Sequence, residues 1–186
     1  MKNLFILLFL ILLSSCAVKY GVNLEVQQTT YNSSTYVVTP IPYSTDTVSN
    51  GELKGSSFAI GITEETKHLI TRINYVTGKV SGDYDNVETQ LSESGVLASL
   101  GLKIFGLQPR LTFGSLNYKS SDETIDKDLN LSGFGVAYEI DLGKAEDHHI
   151  YIAFDQLDNS GIDGGDVSKL SLGYRFDFAK FRGSKD

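Results

Sequence analysis

The stretch "LSLGYRFDF", residues 170–178, decides the fold. Leu170, Leu172, Tyr174, Phe176 and Phe178 fall on one parity, and Ser171, Gly173, Arg175 and Asp177 fall on the other. A period of two is the period of a β-strand, whose successive side chains point to opposite faces. A sheet in water buries its apolar row and gives the other face long polar side chains. Here the opposite row holds a glycine, a serine and two charges of opposite sign. The question is which of the two rows lies inside.

The theme recurs along the 186-residue chain. Seven earlier segments alternate in the same way: "YGVNLEVQ" (20–27), "SFAIGITE" (57–64), "LITRINYVT" (69–77), "GVLASLGLKIFG" (95–106), "RLTFGSLNY" (110–118), "LSGFGVAYEIDL" (131–142) and "HIYIAFDQ" (149–156). Two are less clean. Ile70 and Val76 stand on the polar side of the third, and the fifth loses phase after Gly114, as a β-bulge would cause. The 18 glycines, 10 tyrosines and 10 phenylalanines, with no sustained helical period, fit an all-β chain. The net charge of −7 excludes a nucleic-acid partner, which requires a basic face.

Eight such segments close a small barrel. The connections after the odd segments are long or very polar, roughly residues 28–53, 78–94, 119–128 and 157–167. Those after the even ones are short: "EETK" (64–67), "GLQP" (106–109) and "GKAEDH" (143–148). Long connections at one end and tight turns at the other are the pattern of an eight-stranded antiparallel up-and-down transmembrane β-barrel, with both termini at the short-turn, periplasmic end.

That pattern answers the question of the faces. In a membrane barrel the apolar row meets lipid, and small and polar residues fill a narrow interior. The inward charges are then Glu25, Arg72, Lys103, Arg110, Glu139, Asp141, Arg175 and Asp177, four of each sign, with Asp155 adding one acid nearer the outer end. Charges in a dry lumen must be paired and hydrogen-bonded. Balanced signs favour a cross-linked polar plug over an ion pathway, which would carry one sign and a wider bore.

"SLGYRFDF" (171–178) resembles the C-terminal assembly signal of outer-membrane barrels, here Ser171, Gly173, Phe176 and Phe178. "LSGFGVAYEIDL" is similar to a strand of small eight-stranded barrels of the outer-membrane protein A and X, attachment-invasion and opacity-like types. The resemblance covers residues 18–178 as architecture. It implies recognition by the barrel assembly machinery, residence among outer-membrane lipid and lipopolysaccharide of a Gram-negative envelope, and a possible host or environmental ligand for the outer loops. In that family the last aromatic ends the chain, whereas here "AKFRGSKD" follows, read as a short periplasmic tail over 179–186.

The N-terminus reads as a signal peptide over residues 1–16: Lys2, then an apolar run from Leu4 to Leu13, too short to span a bilayer comfortably. Cleavage falls either after Ala17 or before Cys16 at a lipobox-like "LSSC". In the second case Cys16, the lone cysteine, carries lipid.

Catalytic and cofactor chemistry is not expected. His68 falls in the first short turn. "EDHH" (146–149) offers metal-competent residues but reads as a polar turn. A lipid-modifying enzyme of this architecture needs Ser and His near the outer leaflet, and every histidine falls at the opposite end. "DNSGIDGGD" (158–166) does not match a calcium-loop spacing. The outer connections are acidic, with Asp83, Asp85, Glu88, Asp122, Glu123, Asp126 and Asp128. In the first connection Tyr31, Tyr36 and Tyr43 either form an adhesive surface or extend the hairpin. The function expected is a non-enzymatic surface protein whose loops serve envelope stability, adhesion or environmental contact. The alternatives are a small pore or transport barrel, and a secreted soluble β-barrel lipoprotein carrying a ligand.

Overall fold

The structure, a computed structural model, describes residues 18–35, 49–84, 87–121, 125–143, 147–159 and 165–181. The leader, Cys16, Tyr36, Tyr43, Asp85, Asp122, Glu123 and residues 182–186 lie outside them. Eight strands follow in chain order: β1 (Val18–Thr35), β2 (Ser49–Glu65), β3 (Leu69–Tyr84), β4 (Val87–Leu102), β5 (Leu107–Ser120), β6 (Asp126–Leu142), β7 (His148–Asn159) and β8 (Gly165–Phe181). Each pairs antiparallel with the next, and β8 returns to β1 to close the barrel. Closure removes the free sheet edge and satisfies the backbone hydrogen bonds internally, as hydrocarbon surroundings require.

Parity places the side chains as the alternation demands. Val22, Leu24 and Val26 of β1, Phe58, Ile60 and Ile62 of β2, and Leu170, Leu172, Tyr174, Phe176 and Phe178 of β8 all point outward and are exposed. Asn23, Glu25, Arg175 and Asp177, on the other parity, are buried inside. The exposed apolar residues continue around the barrel through Ile73, Val96, Leu111, Phe113, Phe134, Val136, Ile152 and Phe154. They form a belt, and the belt is the lipid-facing surface of the barrel.

The strands are longer than the alternating segments, from 12 residues in β7 to 18 in β1. Much of what reads as outer connection is strand rising beyond the belt. Between β3 and β4 only residues 85 and 86 remain. In these extensions the polarity inverts. The outward positions become polar, as in Ser56, Lys54 and Glu52 of β2, or Thr77, Lys79 and Ser81 of β3. The inward positions become apolar: Tyr31, Leu53, Val80, Leu91, Leu116, Tyr118, Leu129, Leu157 and Val167 are buried together as one core. A membrane barrel, apolar outside and polar inside, therefore continues upward as a water-type barrel, polar outside and apolar inside.

This inversion corrects the reading of β5. No bulge interrupts "RLTFGSLNY": its pairing with β4 and with β6 runs without a register shift. Leu116 and Tyr118 keep the inward parity of Arg110 and Thr112, and only the solvent outside has changed. Val76 likewise faces inward with Arg72 and Asn74. The register does shift elsewhere, between Tyr20 and Gly21 where β1 meets β8.

Other boundaries move as well. "GLQP" is not a turn, because β5 begins at Leu107. The turn is the two-residue loop Phe105–Gly106, closed by reciprocal Ile104–Leu107 backbone hydrogen bonds of 2.8 and 2.9 Å. Both loop residues have positive φ, 52° and 85°, as the common tight hairpin requires. β8 runs to Phe181, so Ala179–Phe181 belong to the closing strand and pair with Val18–Tyr20. His148 and His149 are not in a turn either; they open β7. Tyr31 lies inside the cap, 1% exposed and stacked on Tyr118 at 5.1 Å, and so cannot contribute to an adhesive surface.

Candidate functional site

The interior is a stack of polar layers. At the short-turn mouth, Lys103 is half-buried and pairs with Glu65. Arg175, with no exposed side-chain surface, reaches three carboxylates: Glu139 at 3.1 Å, Asp177 at 3.0 Å, and Glu65. Arg72 donates to the same Glu139 oxygen at 2.8 Å and to Gln108 at 2.9 Å. Its guanidinium lies 4.3 Å from the centroid of the Tyr151 ring, a cation–π contact that covers the charge with an apolar face. These residues come from β2, β3, β5, β6, β7 and β8, so the layer ties most of the wall together.

The middle layer is built around Glu25. It has neutral donors: Asn74 at 2.6 Å and Tyr151 at 2.7 Å on one oxygen, Gln27 at 2.8 Å on the other. Beside it Arg110 grips Asp155 with two nitrogens, the Nε contact at 2.8 Å, and Thr112 adds a hydrogen bond at 3.0 Å. A two-pronged guanidinium–carboxylate pair is among the stronger polar contacts available. The glycines of the inner row make room for these groups. A Cβ on Gly173 would stand 2.2 Å from Cζ of Tyr151, and one on Gly135 would stand 2.0 Å from an Asp155 oxygen. Gly173 therefore has a packing reason inside the lumen.

Above lies the last charged layer. Lys169 donates to Glu93 at 2.6 Å and to Thr29 at 2.8 Å. Tyr118 donates to the same Glu93 oxygen at 2.8 Å. Burial, and the Glu93 carboxylate beside it, push the Tyr118 phenol well above its ordinary range, so it stays a donor at neutral pH. The apolar cap begins directly above. The space among Glu25, Asn74, Arg110, Asp155 and Lys169 measures about 20 Å³, room for a single water.

The eight charges expected inside divide by depth. Glu25, Arg72, Arg110, Glu139, Arg175 and Asp177 are buried, Lys103 is half-buried at the mouth, and Asp141 stands at the rim with its side chain 54% exposed. Ser171 and Gly173 face the lumen, whereas Phe176 and Phe178 face outward. Sequence reasoning missed Glu65, Glu93, Lys169 and His149. Each carries the inward parity of its strand: Lys169 with Ser171, Glu93 with Ser99, Glu65 with Thr63, and His149 with Tyr151. Strands cut too short put Glu65 and Glu93 in connections and left Lys169 just outside the last segment, while His149 opened a segment but was read with the turn before it.

His149 is 1% exposed and lies between carboxylates. Its Nδ1 is 2.6 Å from Asp141 and 3.7 Å from Glu139, and its Nε2 is 3.0 Å from Asp177. His148 points outward instead. It meets the Tyr174 hydroxyl at 2.5 Å and packs on Phe176, in an aromatic girdle at the short-turn edge of the belt.

A closed eight-stranded barrel with a lipid-facing belt and an ion-paired interior is the architecture of small outer-membrane barrels. Neisserial surface protein A superposes with a TM-score of 0.51 at 14% identity, covering 86% of this chain and 97% of that one. OprG of Pseudomonas aeruginosa gives 0.49 at 10% identity, covering 89% and 98%. Ail, the attachment invasion locus protein of Yersinia pestis, gives 0.46 at 10% identity, covering 88% and 99%. No family model matches the sequence, and no curated protein matches it.

Proposed function

We propose that the chain is a non-enzymatic surface protein of the Gram-negative outer membrane. The barrel anchors it, both chain ends face the periplasm, and the strand extensions carry four outer connections beyond the lipid. The observation that carries this reading is the inversion of polarity above the belt. A folded collar with polar outward positions and its own apolar core is built to stand in water at the membrane surface. Its outward acids, among them Asp83, Glu88, Asp126 and Asp128, are exposed. Such a surface meets lipopolysaccharide, a neighbouring cell or an environmental ligand, and serves envelope stability or adhesion. Ser171, Gly173, Phe176 and Phe178 serve as the address for the assembly machinery. On this reading the leader is removed on export, and Cys16 stands at the export boundary.

Two features favour a closed barrel over the pore and over the ligand carrier. The interior charges are paired across strands, and the space among them holds about one water. The apolar belt faces out, whereas a soluble carrier would turn it toward its ligand.

Lysine labelling on intact cells tests the location. An impermeant amine reagent will label Lys54 and Lys79, on the collar, and will spare Lys67 at the β2–β3 turn until the outer membrane is permeabilised. Labelling of Lys67 on intact cells would reverse the topology. In planar bilayers the inserted protein will give no steady openings, and well-resolved openings would favour the pore.

A further inference from the structure

We propose that His149, Glu139 and Asp141 form a binding site for a divalent first-row transition ion of the zinc type, at the short-turn mouth of the lumen. Asp177 orients the imidazole. The three ligand atoms lie within 4.8 Å of one another.

The two ring nitrogens of His149 face different carboxylates. A neutral imidazole has one N–H and one lone pair. Nε2 faces Asp177 at 3.0 Å, and the neutral ring with its N–H on that side donates to this carboxylate. The Nδ1 lone pair then points at Asp141 and Glu139, at 2.6 and 3.7 Å. A lone pair directed at two carboxylates requires a positive charge between them, either a proton or a metal ion. A ring with one nitrogen toward an ion and the other donating to a carboxylate is the arrangement by which proteins set a histidine ligand.

A second observation comes from Glu139. Its two oxygens are used unequally. Oε2 accepts from both Arg72 and Arg175, whereas Oε1 faces His149 Nδ1 at 3.7 Å, beyond hydrogen-bond reach. The arginines hold the carboxylate by Oε2, with Oε1 on the side of Nδ1. Asp141, on the exposed rim, has room to move back by the roughly 0.8 Å needed, since Zn–N and Zn–O bonds of about 2.0–2.2 Å at a tetrahedral angle hold N and O about 3.4 Å apart. Three protein ligands and a mouth open to water leave a fourth position for solvent. The imidazole favours zinc-type ions over calcium or magnesium, which take oxygen. Binding displaces the proton otherwise shared between Nδ1 and Asp141.

The test uses the untagged full-length protein refolded in detergent, with folding verified by heat-modifiable gel mobility. Zinc is titrated in competition with a chromophoric chelator. One equivalent is expected to bind and to survive excess magnesium. His149→Gln should abolish it. Asp177→Asn should weaken it by about tenfold or more. His148→Gln and His68→Gln, whose side chains are exposed, should leave it unchanged. Absence of stoichiometric binding would overturn the site, as would binding that persists in His149→Gln or disappears in His148→Gln. If His149→Gln fails to fold, X-ray absorption of the zinc-loaded wild-type protein decides: one imidazole nitrogen with oxygens supports the site, and an all-oxygen shell overturns it.

Discussion

Replacing Arg175 with methionine will cost about 3–5 kcal/mol of barrel stability, the range for breaking a buried ion pair from one side. The residue has no exposed side-chain surface and joins Glu65 of β2, Glu139 of β6 and Asp177 of its own strand. Methionine fills much of the space but takes the shared cation from three buried carboxylates, leaving Arg72 on Glu139, Lys103 on Glu65 and His149 on Asp177. Domains commonly have a total stability of about 5–15 kcal/mol, so the change removes a large share. Urea unfolding of the refolded protein, followed by heat-modifiable mobility, will show the midpoint fall steeply. Adding Asp177→Asn will return part of the loss, because one of the carboxylates that lost Arg175 is then neutral while Arg72 keeps Glu139. A shift below about 1 kcal/mol would mean that water screens the layer.

The second large effect is at Lys169. Lys169→Met leaves Glu93 buried beneath the apolar cap, with Tyr118 and Thr29 as its remaining donors. The expected cost is again about 3–5 kcal/mol. The double substitution Lys169→Met with Glu93→Gln should cost less than Lys169→Met alone, since no uncompensated charge remains. The comparison separates a charge pair from mere packing: if the two changes add independently, the pair is not coupled. The location sharpens the contrast, because Val167 and Leu157 lie in the cap just above.

These two layers were not equally legible in the sequence. Arg175 sits between Tyr174 and Phe176 in a stretch of unbroken alternation, and its inward parity follows directly. Lys169 carries the same parity one step further. It is obscured because the belt ends there: Val167, on the same row, is apolar, so the row no longer looks polar. Glu93 is hidden in the same way between Leu91 and Gly95. A hydrophobic pattern reports the solvent outside as well as the strand, and the solvent changes part of the way along each strand. For this reason β5 loses its phase on paper after Gly114 while its register continues unbroken. The closing of the barrel, the parity of most rows and which connections are short were readable from period and connection length. Which carboxylate meets which cation was not, because that depends on strand stagger. His149 shows the gap most clearly. Its partners Asp141 and Asp177 come from two different neighbouring strands, and nothing local distinguishes it from the outward His148.

The boundary along β5 tests whether one strand passes from lipid to water without changing register. Single spin labels at residues 111, 113, 115, 116 and 117, in a Cys16→Ser background, can be examined in liposomes by collision with oxygen and with a water-soluble nickel chelate. Oxygen-dominated collisions are expected at 111 and 113, nickel-dominated collisions at 115 and 117, and shielding from both at 116. Oxygen-dominated collisions at all four outward positions, or nickel access at 111, would contradict it.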